Sequence, residues 1–146
     1  MANQIGNYSL YIALFASIFL IFQSSNSIRN KSKNLDSKIF SALSVQSLMV
    51  LISFFSLIYA FIISDFSNET VYNNSHTTKP LFYKISGSWG NHEGSLLLWL
   101  LVLTIFLFIF LINSKKLLIK YRLLTILFQE LIIIGFLLFI LFTSNP

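Results

Sequence analysis

The sequence of 146 residues contains no cysteine, and only 10% of its residues are charged. Without cysteine this chain can form no disulfide, no thiolate metal site and no thiol redox centre of its own. A soluble domain of this size needs more charge to cover its surface. Low charge, 55% hydrophobic residues and a mean hydropathy of +0.76 therefore predict an integral membrane protein.

The net charge of +5 raises the question of a nucleic-acid partner. The basic residues, however, form two short clusters beside apolar runs, which is typical of membrane topology signals and not of a phosphate-binding face. We therefore expect membrane lipid, and no nucleic acid, around this chain.

Four apolar segments reach the roughly 18–20 residues that cross a bilayer, at about 5–22, 39–63, 95–112 and 123–142. They predict an all-α integral membrane fold with four antiparallel transmembrane helices. The first segment is predicted to be a retained helix and not a signal peptide, because no Lys or Arg precedes it and no clear cleavage site follows.

The basic residues also predict the orientation of the helices. The first and third connections carry four each: Arg29, Lys31, Lys33, Lys38, and Lys115, Lys116, Lys120, Arg122. The middle connection, 64–94, has only Lys79 and Lys84, opposed by Asp65, Glu69 and Glu93. Both termini and this long outer loop are thus expected on the periplasmic side. Its first half is predicted to be strand-like or irregular, and its aromatic second half to lie at the headgroup level.

The stretch GSWGNHEGSLLLW, at 87–99, places His92 and Glu93 directly before the third span. The structural interpretation, which we favour on physical grounds, is that Asn91 or His92 caps the helix and Glu93 meets its dipole. The functional interpretation is that both side chains touch a polar ligand or cofactor. Trp89 and Trp99 are similarly either interfacial anchors, the favoured role, or an aromatic surface against a macrocycle.

Glu130 lies inside the fourth span, where a bare carboxylate is costly. It is expected to be protonated, paired or packed against protein, with Gln46 as a candidate hydrogen-bond partner. A contact with a neighbouring helix or with a partner subunit is favoured over a proton path. His76 lies in the polar loop, and we favour a solvated residue over a ligand as its interpretation. No cluster of residues in the sequence has metal-ligand spacing.

Four stretches, in order from end to end, resemble the CcmF-type cytochrome c maturation proteins, which include the CycK and NrfE variants. They are QIGNYSLYIAL, YAFIISDFS, PLFYKISGSWGNHEGSLLLW and GFLLFILFTSNP. The third fits the family's most recognisable N-terminal motif through Trp89, Gly90, His92, Glu93, Gly94, Ser95 and Trp99.

The resemblance implies that residues 1–146 are the N-terminal transmembrane module of a longer protein, as a fragment or one piece of a split gene. It implies a haem lyase of the bacterial inner membrane, or the mitochondrial counterpart. Such a lyase passes haem from a haem chaperone to the CxxCH thiols of apocytochrome c, together with a thiol-handling subunit. The candidate cofactor-binding residues are His92, Trp89 and Glu93.

The family's WWD segment and the histidines that hold its b-type haem are not in this sequence. We therefore expect the axial ligands to lie outside this chain, and no activity of the fragment alone. Two other functions stay open: a non-catalytic scaffold that binds partner proteins, and an ion- or proton-translocating respiratory subunit suggested by Glu130 alone.

Overall fold

The computed structural model describes residues 2–31, 35, 37–143 and 145–146. Within these residues the chain forms α1 (Ala2–Arg29), α2 (Ser37–Ile63), α3 (Glu69–Asn74), α4 (Leu81–Gly87), α5 (His92–Asn113) and α6 (Ile119–Phe142), with a 3₁₀ turn at Ser114–Lys116. Helices α1, α2, α5 and α6 are long and apolar enough to span a membrane. This confirms the all-helical class and the four predicted spans.

Helix α1 continues about two turns beyond the predicted end of its apolar run at residue 22. The extension is rich in serine and asparagine, yet Ser24 and Ser27 are buried against the bundle. The Asn26 side chain accepts hydrogen bonds from Arg29 at 3.5 Å and from Asn30 at 3.3 Å. Hydropathy locates the part of a helix that matches the hydrocarbon core, whereas packing and side-chain hydrogen bonds set the helix end.

Neighbouring long helices are antiparallel. Gly6, near the start of α1, lies against Ser56, near the end of α2. Phe40, at the start of α2, contacts Phe108, towards the end of α5, with ring centroids 5.7 Å apart. The connection between α1 and α2 is short, as expected for a helical hairpin, whereas α2 and α5 are joined by the long 64–94 segment.

Helix α6 completes a ring in the order α1, α2, α5, α6. Arg122, near the start of α6, donates to the carbonyl of Leu111, near the end of α5, at 2.9 Å. At the opposite end of the bundle, the Asn68 side chain donates to the carbonyl of Pro146 at 2.7 Å. Asn3 and Pro146 also line one small cavity there. Both described chain ends and the 64–94 segment therefore share one end of the bundle.

The bundle is apolar inside and outside. Its core is a leucine-rich cluster, with Leu97, Leu100, Leu137 and Ile140 fully buried. Its outer surface exposes many aromatic side chains, such as Phe15, at 71%. A helix that is hydrophobic all round belongs in lipid, which is consistent with a multi-pass membrane protein.

The first half of the 64–94 segment corrects our prediction, because it contains α3 where we expected a strand-like or irregular chain. Asn68 starts this helix: its side-chain oxygen accepts a hydrogen bond from the amide of Val71 at 3.1 Å. Val71 is fully buried and anchors α3 to the bundle. The second half contains α4, whose Leu81, Phe82 and Tyr83 are exposed. Placement at the headgroup level stays a prediction.

Candidate functional site at the α4–α5 turn

Asn91 organises the turn between α4 and α5. Its side-chain oxygen accepts a hydrogen bond from the amide of Gly94 at 2.6 Å and caps α5. Its side-chain nitrogen donates to the carbonyl of Gly87 at 2.8 Å, which ties the end of α4 to the start of α5. Of the two caps that the sequence predicted, the structure selects Asn91.

Gly94 allows the two helix ends to approach. A Cβ atom at this position would overlap the carbonyl oxygen of Ser88 and lie 2.8 Å from its carbonyl carbon. Ser88 is fully buried, and its hydroxyl donates to the carbonyl of Ile85 at 2.7 Å. The backbone of Ser88 therefore cannot withdraw easily, and the turn requires glycine at position 94.

His92 is the first residue of α5 and is exposed. Its imidazole meets the ring of Phe139 from α6 edge-on, with ring centroids 6.4 Å apart. This contact is between the faces and edges of the two rings. Among the residues that the structure describes, no other side chain forms a hydrogen bond with the imidazole. The ring nitrogens are thus placed where an external group can reach them.

Glu93 faces a different part of the molecule. It is half-buried in the first turn of α5, as predicted, and shares a polar depression of about 300 Å³ with Glu69 from α3. The depression is also lined by Thr70, Asn73, Asn74, Leu141, Phe142, Thr143 and Asn145. Its two carboxylates and side-chain amides favour cationic or hydrogen-bond-donating groups.

Trp89 packs against α2. Its ring stacks on that of Phe54, with centroids 6.5 Å apart and an angle of 29° between the planes, and 39% of the side chain is exposed. Trp99 is 63% exposed, seven residues beyond His92 and so about 10 Å further along α5. Among the ring contacts of the described residues, none joins the two tryptophans.

The three candidate residues therefore share one turn but have three sets of neighbours: α2 for Trp89, α6 for His92 and α3 for Glu93. They do not form a single ligand shell. His76 is exposed in the loop, as expected. Across residues 2–31, 35, 37–143 and 145–146, no three His, Cys, Asp or Glu residues come together as a metal site would require.

Asp65, in the short connection after α2, belongs to one of the stretches that carry the family resemblance. Its carboxylate accepts hydrogen bonds from the Ser67 hydroxyl at 2.6 Å and from the Ser67 amide at 3.2 Å. These bonds, chiefly the one from the hydroxyl, stabilise the charged form and lower the pKa of Asp65 below its ordinary value. Asp65 is therefore ionised at neutral pH and orders the turn that leads into α3.

Glu130 lies in the middle of the bundle and is fully buried. Gln46 donates through Nε2 to Oε2 of Glu130 at 2.8 Å and to the Ser17 hydroxyl at 2.5 Å. The predicted Gln46 partner is confirmed, and the predicted helix contact is with α2. Sequence reasoning missed Ser17, since a serine in an apolar run gives no sign of its partner.

Comparison with known proteins gives relatives that align with the whole chain. It is 38% identical over 146 residues to the cytochrome c-type biogenesis protein CycK of Rhizobium meliloti, and covers 22% of that protein. It is 36% identical over 153 aligned positions to the cytochrome c-type biogenesis protein CcmF of Haemophilus influenzae, again covering 22%. No family model matches the chain.

A solved structure has the same fold. The cytochrome c haem lyase CcmF superimposes on the whole chain with a TM-score of 0.91 at 23% sequence identity. The chain corresponds to 24% of that protein, and so spans about a quarter or less of the relatives it matches. By sequence and by fold, the chain belongs to the CcmF, CycK and NrfE family of cytochrome c-type biogenesis proteins, of which it represents one segment.

Proposed function

We propose that this chain is the N-terminal transmembrane module of a cytochrome c haem lyase in the bacterial inner membrane. The observation that carries the proposal is the similarity of the whole chain to about a fifth of the length of cytochrome c-type biogenesis proteins. Within this chain the GSWGNHEGSLLLW stretch forms the ordered turn between α4 and α5. The basic residues support a periplasmic position for this turn, where haem is joined to apocytochrome c.

The turn suits a contact with the haem substrate better than a resident haem site. Only His92 offers an accessible imidazole there, while Trp89 and Glu93 face other elements. The residues present do not fit a haem iron with two protein ligands, since the whole sequence contains only two histidines and His76 lies in a separate loop. The ligands of a b-type haem would then belong to the part of the lyase outside these residues.

Within the lyase, the module would hold the turn at the membrane surface against the haem chaperone, the thiol-handling subunit and apocytochrome c. Exposed His92 can accept or donate a hydrogen bond at the edge of a bound group. Glu69 and Glu93 present negative charge in the neighbouring depression. These groups would position a substrate and need not form a bond with it.

Replacing His92 tests the proposal. In the complete lyase, His92→Ala should lower the yield of mature cytochrome c by about tenfold, the effect of losing one hydrogen bond to a charged group. His76→Ala is the matched control, because His76 is also exposed and should leave the yield unchanged. The yield is measured by haem staining against the amount of lyase in the membrane. Equal yields for both variants would reduce His92 to a helix-end residue.

A scaffold that binds partner proteins is the second candidate. It is favoured because Trp89, His92 and Glu93 contact three different parts of the molecule and do not form one ligand site.

Purifying these 146 residues alone and recording the haem absorbance is a second test of the haem-lyase proposal. The haem-lyase module should hold no stoichiometric haem, and stoichiometric histidine-ligated haem would contradict our division of roles between this chain and the rest of the lyase.

A further inference from the structure

An apolar groove of about 370 Å³ lies between α5 and α6 on the outside of the bundle. It is lined by Leu96, Leu131, Ile132, Gly135, Phe136 and Phe139. His92 lies next to one end of the groove, because its ring contacts Phe139 and it precedes Leu96 by one turn on α5. None of the lining side chains is charged, so the occupant of the groove must be apolar at this depth.

Gly135 distinguishes this groove from the rest of the outer surface. The sequence has five glycines, and at four of them a Cβ atom would meet another part of the protein within 4 Å. At Gly135 a Cβ atom would meet no described atom within that distance. A glycine inside a helix costs about 1 kcal/mol of helix propensity relative to alanine, and no contact within the described residues accounts for it. Glycines on the faces of transmembrane helices let another helix approach closely.

The relatives indicate what could occupy the groove beside Gly135. The solved haem lyase contains this four-helix bundle as 24% of its chain. A bundle that is a quarter of a larger membrane protein must offer one or more of its faces to the remainder. We infer that the α5–α6 groove is the docking surface for a transmembrane helix from the remainder of the haem lyase, with a bulky apolar side chain seated over Gly135. The inference rests on the proposed function, because it takes the lyase as the assembly.

The docked helix would cover the groove directly below His92. Gly135 lies seven residues before the end of α6, so the contact would be about 10 Å from the end of the bundle that carries the α4–α5 turn. Docking at this site would therefore set the position of His92 relative to the remainder of the lyase. It would also exclude lipid from one side of the turn.

Filling the groove tests the docking surface. With these 146 residues and the remainder of the lyase expressed as two separate polypeptides, Gly135→Leu should lower co-purification of the remainder by about tenfold, since over-packing a close helix contact is destabilising. The amount and protease resistance of the variant chain in the membrane should stay unchanged or rise, because the new side chain has open space at its Cβ position. Val102→Phe is the control: it adds bulk to an exposed position of α5 outside the groove and should not affect co-purification. Equal recovery for both variants would overturn the inference.

A crosslinking experiment identifies the occupant. The chain has no cysteine, so Gly135→Cys gives it a single thiol, which can carry a benzophenone after labelling of the purified chain. After irradiation of membranes containing the complete lyase, mass spectrometry should find an adduct with a helix of the remainder. An adduct with a second copy of this chain, or with lipid alone, would overturn the inference. If the adduct formed, but a separate strain lacking this chain still matured cytochrome c, the proposed function would fail and the docking surface would stand.

Discussion

Gly94 shows at the residue scale how one absent side chain lets two helix ends meet. The sequence has a glycine two positions after His92, and the sequence alone indicates only a small residue near a turn. The structure adds the reason, which is the carbonyl of Ser88 in the space where a Cβ would lie. The need for glycine here comes from a close approach and not from an unusual φ angle.

Gly94→Ala should therefore destabilise the α4–α5 turn by about 1–3 kcal/mol, the usual cost of over-packing. The matched control, in the isolated 146-residue chain, is Gly135→Ala, which there introduces the same methyl group into open space and should be neutral or stabilising. Limited proteolysis at residues 88–91 and the melting temperature in detergent measure the difference. Similar behaviour of the two variants would show that Ser88 can move aside at little cost.

Gln46 connects three of the four long helices at the element scale. From its position on α2 it forms hydrogen bonds with Ser17 of α1 and with Glu130 of α6, and all three side chains are fully buried. Polar contacts of this kind restrict how far one helix can slide along another, because sliding would break the hydrogen bonds of Gln46 to Ser17 and Glu130 inside the bundle. In the observed register, Oε1 of Gln46 and Oε1 of Glu130 accept no hydrogen bond from the described residues. The fully buried Glu130 carboxyl therefore contributes to the contact between α2 and α6, as the sequence favoured.

Glu130→Ala should lower the free energy of unfolding by about 2–4 kcal/mol, since it removes the partner of Gln46 and leaves a cavity. Glu130→Gln should retain most of the stability, because the amide oxygen can still accept from Gln46. Gln129→Ala, at a half-buried position on the same helix, is the control and should have little effect. Thermal unfolding in detergent compares the three variants. Equal losses for Glu130→Gln and Glu130→Ala would contradict a hydrogen-bonding role.

At the scale of the whole molecule, most of the basic residues lie at one end of the helix bundle. The described chain ends and the 64–94 segment lie at one end, and the connections with most of the basic residues lie at the other. Antiparallel packing explains this division, since each long helix reverses the direction of the chain. The rule that basic loops stay in the cytoplasm then predicts which end faces the periplasm.

Single cysteines can test this orientation, because the chain has none of its own. Tyr83→Cys, at an exposed position on α4, should react with a membrane-impermeant maleimide in intact spheroplasts. Lys116→Cys, at the opposite end, should react only after the membrane is permeabilised. The reverse labelling pattern would show that the module is inserted the other way round.

The sequence by itself determined the membrane class, the four spans and the need of Glu130 for a partner. These features depend on hydropathy and on the cost of a buried carboxylate, which are local properties of the chain. The tertiary structure then selected Asn91 over His92 as the cap of α5 and Gln46 as the partner of Glu130. Only the tertiary structure decided that α3 is helical, that Ser17 completes the polar contact and that Trp89, His92 and Glu93 face three different elements. Those outcomes depend on which surfaces the folded bundle brings together, and spacing along the chain does not contain that information.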